Sequence, residues 1–127
     1  MGKKQPVVLI SEDEIDINNL LTVILQAENF TVLQAFDGQA ALETFSTHAD
    51  EIDLLVTDLG LPKMGGVELI ERVRKMKPSV KIIGASGFGR NNVREEVMRA
   101  GADEFLPKPY VTAELVSTAR RLLETTL

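Results

Sequence analysis

"IDLLVTDLGLPKMGG", residues 52–66, is an apolar run that ends on an aspartate and gives way to a loop of glycine and proline. The run has the length and composition of a buried strand, and Gly60, Pro62, Gly65 and Gly66 punctuate the loop after it. Beyond the loop the period changes. Leu69, Ile70, Val73 and Met76 recur as one face of a helix that Pro78 stops. The segment is therefore a strand–loop–helix unit, and the same unit recurs on either side of it.

Upstream, "PVVLI" reads as a buried strand, followed by the helical stripe Ile17, Leu20, Leu21 and Ile24. "FTVLQAF" is a partly alternating strand, and Asp37 then caps a helix carrying Ala41, Leu42 and Phe45. Downstream, "VKIIGAS" is a strand whose following helix carries Val93, Val97 and Ala100 and closes on Gly101 at the position past its C-cap. "DEFL" is a short last strand, and Thr112 caps a final helix with Leu115, Ala119 and Leu122 on one face. Strands alternating with helices predict an α/β fold, (βα)5, with a parallel sheet covered on both faces. "VVLI", "LLV" and "KIIGA" are the most uniformly apolar runs, as central parallel strands should be. Phe30, Phe36 and Phe45 read as core, and Met64, Met76 and Met98 as core or loop filler.

The 127 residues fit a single domain over 1–127, with no repeat or linker and 44% apolar residues to fill one core. The absence of cysteine excludes a disulfide framework, a thiolate metal site and a thiol nucleophile. The apolar runs are too short for a membrane span or a signal peptide, and Pro6 spoils a myristoylation motif at Gly2, so the expected location is the cytoplasm. A net charge of −5 argues against direct nucleic-acid binding. The basic run "ERVRKMKPSVK", residues 71–81, reads as a solvated helix face, and the single histidine, His48, stands alone after the second helix.

Polar residues gather at strand ends. Glu12, Asp13 and Glu14 follow the first strand, Asp58 the third, Ser86 the fourth and Lys108 the fifth. In an open parallel sheet those positions share one edge, where such folds place their ligands. Carboxylates of Asp13 and Asp58 suit Mg2+, and one carboxylate can serve as a nucleophile towards phosphorus. A lysine and a hydroxyl would then neutralise and hydrogen-bond phosphoryl oxygens, so the chemistry suggested is phosphoryl transfer to a carboxylate.

At these residues, in "ISEDE", "LLVTDLGLPKMGG", "IIGASG" and "ADEFLPKPY", the chain resembles the receiver domains of two-component response regulators, across residues 7–123. The resemblance implies a doubly wound, flavodoxin-like sheet in the order 2-1-3-4-5. It also implies a phosphoacceptor switch rather than an enzyme, with Asp58 as phosphoacceptor. Mg2+ would be held by Asp13 and Asp58 directly, by Glu12 through water and by the backbone carbonyl of Gly60. Ser86 and Lys108 would contact the phosphoryl group, Phe105 would be the aromatic switch, and Lys108–Pro109 would be a cis peptide. Pro62 and Gly66 fit the turn after the phosphoacceptor.

The implied phosphate donor is a histidine kinase or a phosphotransfer domain. The implied readout is an output domain or downstream protein, met through the face of the fourth helix, fifth strand and fifth helix. A stand-alone regulator, one domain of a longer regulator and the C-terminal receiver of a hybrid sensor histidine kinase all fit. Departures are Glu12 for the commoner Asp, Gly60 and Phe88 where polar or acidic side chains are frequent, and Phe105, which lacks a tyrosine's hydroxyl. The rival is a small nucleotide-binding enzyme using "GASGFG", residues 84–89. A dinucleotide loop, however, normally opens the first βαβ unit, and this one follows the fourth strand.

Overall fold

Each of the five runs read as strands is a strand in the structure, a computed structural model that describes residues 5–87, 93–108 and 112–124. The elements alternate as β1 (Val7–Ser11), α1 (Ile15–Ala27), β2 (Thr31–Ala35), α2 (Gly38–Thr47), β3 (Leu54–Asp58), α3 (Gly66–Met76), β4 (Lys81–Ser86), α4 (Val93–Ala100), β5 (Glu104–Pro107) and α5 (Thr112–Glu124). The strands pair in parallel in the order β2-β1-β3-β4-β5. This is the doubly wound flavodoxin-like arrangement. Among the described residues no helix is long and apolar enough to cross a membrane.

The strand residues alternate between two cores. Leu9, Leu55 and Ile82 face Phe45, Leu69, Ile70, Val73 and Val97 from α2, α3 and α4. Val8, Ile10, Leu54, Val56 and Ile83 face Leu21, Leu25, Leu115 and Leu122 from α1 and α5. Burying such a side chain contributes about 1.5–3 kcal/mol, and a one-residue slip would carry each one to the wrong face. Register is thereby fixed, and with it the alignment of the strand ends: Ser11 opposite Thr57, Asp58 opposite Ala85, Ser86 opposite Pro107.

Asp37 caps α2, its side chain accepting from the amide of Ala40 at 2.7 Å. Gly101 closes α4 at φ 124°, its amide bonding Met98 while that of Ala102 reaches Val97. Thr112 is the first residue of α5 itself, and the residue before it lies outside the described residues. Three apolar assignments need correction. Leu20 is exposed, because α1 buries the face of Asn18, Leu21 and Leu25. Phe36 lies past the end of β2, beyond the reach of the core, and is 38% exposed. Met76 is the last residue of α3 and is 44% exposed.

The basic run at residues 71–81 also divides. Arg72 and Lys75 are solvated, but Arg74 and Lys77 are half-buried and bound to backbone carbonyls.

Candidate functional site

Parallel strands in fixed register deliver their C-terminal residues to one place. Asp58 is the last residue of β3, Ser86 the last of β4, Glu12 directly follows β1 and Lys108 directly follows β5. The amide of Lys108 bonds the carbonyl of Ser86 at 2.7 Å, and that of Leu59 bonds the carbonyl of Ala85 at 3.1 Å. The two loops are thus pinned to β4. Their side chains meet: the ammonium of Lys108 lies 2.8 Å from Glu12 Oε1 and 3.2 Å from Asp58 Oδ1.

The Glu12 side chain is almost wholly buried, Asp58 and Lys108 are largely so, and Asp13 is exposed. Burial works against the charged ammonium of Lys108. The hydrogen bond to Glu12, the charges of Asp58 and Glu12 and the hydrogen bond to Asp58 outweigh it, holding the lysine above its ordinary pKa. Glu12 Oε2 accepts from the amide of Glu14 at 3.1 Å, so both oxygens of this carboxylate are engaged. Glu12, Asp13 and Asp58 each bring one carboxylate oxygen within 4.8 Å of the other two. Three hard oxygen donors so placed fit Mg2+, which takes few carboxylates and keeps several waters.

The loop after Asp58 turns back tightly. The amide of Gly66 bonds the carbonyl of Leu59 at 3.0 Å, and a Cβ at Gly66 would collide with the backbone of Asp58 and Leu59. Gly66 therefore opens α3 directly beneath the phosphoacceptor candidate. Gly60, by contrast, is exposed, and among the described residues a Cβ there would meet only Asp58 Oδ2, at 3.8 Å. Phe105 is half-buried against the α2–α4 core, opposite Gly84. The Lys108–Pro109 peptide, Phe88 and Gly89 lie outside the described residues.

The first glycine of "GASGFG" has a packing role. Gly84 lies inside β4, where a Cβ would come within 2.6 Å of Val97 Cγ1, so that glycine admits α4 to the sheet.

The sequence missed one participant. Asn18, wholly buried on α1, donates through Nδ2 to the carbonyls of Glu12 at 3.0 Å and Ala35 at 2.9 Å. An asparagine inside a buried helical face was the available signal.

Residues 8–120 match the family described as the response regulator receiver domain. The alkaline phosphatase synthesis transcriptional regulatory protein SphR of Synechococcus elongatus is 36% identical over 123 residues, covering 91% of this chain and 48% of that protein. The sensor kinase CckA of Brucella abortus is 32% identical over 117 residues, covering 92% of this chain and 12% of that protein. The chain thus spans about half, or much less, of these relatives. A crystal structure of a response regulator receiver domain protein from Clostridium thermocellum superposes with a TM-score of 0.90 at 25% identity, over 94% of this chain and 95% of that one.

Proposed function

The chain belongs to the response regulator receiver domain family, signalling switches of two-component systems, and from that premise we propose that it is phosphorylated on Asp58 by a histidine kinase or phosphotransfer domain, in a Mg2+-dependent reaction. One observation carries the reading: Lys108 bridges Glu12 and Asp58, with Asp13 close enough to complete a three-carboxylate set.

A carboxylate oxygen of Asp58 forms a bond to phosphorus as the bond from phosphorus to the donor's imidazole nitrogen breaks. The electron pair stays on that nitrogen. When bound, Mg2+ would neutralise phosphoryl oxygens. Asp13 and Asp58 are its direct ligands in this reading, with the Gly60 carbonyl. Glu12 acts through water, consistent with both of its oxygens being engaged already. Lys108 sits where it can move from Asp58 Oδ1 to a phosphoryl oxygen, and Ser86, one strand over, supplies a hydroxyl. Catalysis is then positioning and charge compensation, and the donor supplies the activated phosphate.

The switch we propose runs from Ser86 and Phe105 to the face of α4, β5 and α5, where an output domain or partner protein reads it. The unit is one receiver domain over 1–127. Its matched relatives comprise a transcriptional regulatory protein and a sensor kinase, and the same transfer would serve in either architecture.

Incubation with acetyl phosphate or phosphoramidate tests the reading by intact mass spectrometry. A phosphoryl adduct is expected with Mg2+ and not without it. An adduct that persists in Asp58→Asn, or none in the wild type with Mg2+, overturns the assignment.

A further inference from the structure

Asn18 connects the acidic site to the edge of the sheet. Its Nδ2 donates to the carbonyls of Glu12 at 3.0 Å and Ala35 at 2.9 Å. Its Oδ1 accepts from Gln34 Nε2 at 2.9 Å, and Gln34 Nε2 also donates to Asn19 Oδ1 at 2.8 Å. The orientation of the carboxamide is unique, since two carbonyl oxygens on one side demand donors and the Gln34 amide on the other demands an acceptor. The amide of Glu12 bonds Ala35 as well, at 3.1 Å. Glu12 is consequently held at both its N–H, by β2, and its C=O, by Asn18.

That C=O belongs to the peptide joining Glu12 to Asp13, so its direction fixes how the two carboxylates are offered to a cation. We infer that Asn18 is a positioning residue for the metal site: it locks the Glu12–Asp13 peptide plane, with Gln34 locking Asn18 in turn. The inference rests on the reading of Glu12, Asp13 and Asp58 as the Mg2+ site. It adds a group that touches no ligand. Removing a residue that orients metal-binding side chains characteristically lowers metal affinity about 10- to 100-fold. A purely structural role would lower stability and leave the affinity of the folded protein unchanged.

The test is Mg2+ titration of the full chain without phosphodonor, monitored by calorimetry and amide chemical shifts. Hydrogen exchange of the Glu12 and Asp13 amides is measured in metal-free protein. Asn18→Ala is expected to weaken Mg2+ binding about 10-fold or more and to speed exchange at those two amides beyond any change in β1. Folded Asn18→Ala that binds Mg2+ within about twofold of wild type overturns the inference. Should Asn18→Ala not fold, the exposed Gln34→Leu decides: weaker Mg2+ binding supports the inference and unchanged binding overturns it. Asp13→Asn separates the two levels. If it abolishes binding and the Asn18 and Gln34 variants do not weaken it, only the inference fails; if wild type binds no Mg2+, or binds it equally well without Asp13, the functional reading fails and takes the inference with it.

Discussion

The two edges of the sheet use charge in opposite ways. At the amino-terminal edge, charged side chains are matched to backbone groups. Arg74 donates to the carbonyls of Gly101, Pro78 and Val80 and to Asp103, at 2.6–3.0 Å. Asp103 also accepts from the amide of Ile82, and Asp53 from that of Val7, both at 2.9 Å. Lys77 donates to the carbonyls of Ala49 and Ile52, both at 2.7 Å. These contacts fasten the starts of strands to α3 and to the α4–β5 and α2–β3 turns. At the carboxyl edge three carboxylates crowd together and Lys108 bridges only two of them, Glu12 and Asp58, so like charges meet without full compensation. The satisfied edge belongs to the fold. The uncompensated edge stores an affinity for added positive charge, which is what a cation and a tightly drawn lysine supply.

The largest expected effect is at the satisfied edge. Arg74→Ala would take the side-chain partner from three carbonyls, those of Gly101 and Val80 at part-buried bonds and that of Pro78 exposed, and would leave the Asp103 carboxylate, among the described residues, only the Ile82 amide. Hydrogen bonds to charged groups contribute about 1.5–3 kcal/mol each, and water will recover some of them, so a loss of about 3 kcal/mol is expected in denaturant unfolding. Mg2+ should restore none of it. A loss below about 1 kcal/mol would show that this edge is no better matched than an ordinary surface.

Lys108→Ala comes next, at the other edge. A poorly satisfied lysine among crowded carboxylates could be removed with a gain in stability. The 2.8 Å contact to buried Glu12 shows that Lys108 is well satisfied, so removal leaves a buried carboxylate oxygen unpaired. A loss of about 1–3 kcal/mol is expected, part of it regained in Mg2+ as the cation takes over the lysine's charge. The phosphorylation-dependent spectral change should disappear. Full stability without Mg2+, or an intact spectral change, contradicts the role given to Lys108.

The contrast between the edges also explains what was legible in the sequence. Glu12, Asp58, Ser86 and Lys108 could be brought together on paper because parallel strands all end at one edge, whatever the loops do. Asp37 and Gly101 could be placed because caps act within a few residues of themselves. Arg74 and Lys77 could not be told from their solvated neighbours, since their partners are backbone carbonyls up to 28 residues away. Leu20, Phe36 and Met76 were misplaced for a related reason. Periodicity defines an apolar stripe but neither its rotation on the sheet nor where the sheet stops covering it. Asn18 combined both difficulties, a polar residue inside a stripe with partners on two other segments.

A third test sharpens the open side of the site. Gly60 offers no side chain to orient water beside Asp58, yet among the described residues a Cβ there would meet only Asp58 Oδ2, at the ordinary contact distance of 3.8 Å. Gly60→Asn should therefore fold normally and place a hydrogen-bonding group where an in-line water approaches the acyl phosphate. Well-placed groups of this kind contribute up to 10²- to 10⁴-fold; a side chain on an exposed loop should give on the order of tenfold faster phosphate release. An unchanged or slower rate would mean that Gly60 does not limit water access.

The smallest effect carries the most diagnostic sign. Asp13 is the exposed member of the carboxylate set, and no contact described for it holds the fold together. Without a divalent cation its charge only adds to the repulsion from Glu12 and Asp58, so Asp13→Asn should stabilise the domain, by on the order of half a kcal/mol given solvent screening. With Mg2+ the order must reverse. Wild type gains stability by mass action, about 2.7 kcal/mol at a cation concentration 100 times its dissociation constant, while the variant, short of a direct ligand, gains much less. Thermal unfolding at zero and saturating Mg2+ should therefore give curves for the two proteins that exchange places. No comparable crossing is expected for Arg74→Ala, whose deficit is indifferent to the cation. If Asp13→Asn is destabilised at both Mg2+ levels, Asp13 is a structural residue after all and the carboxyl edge is not the strained one.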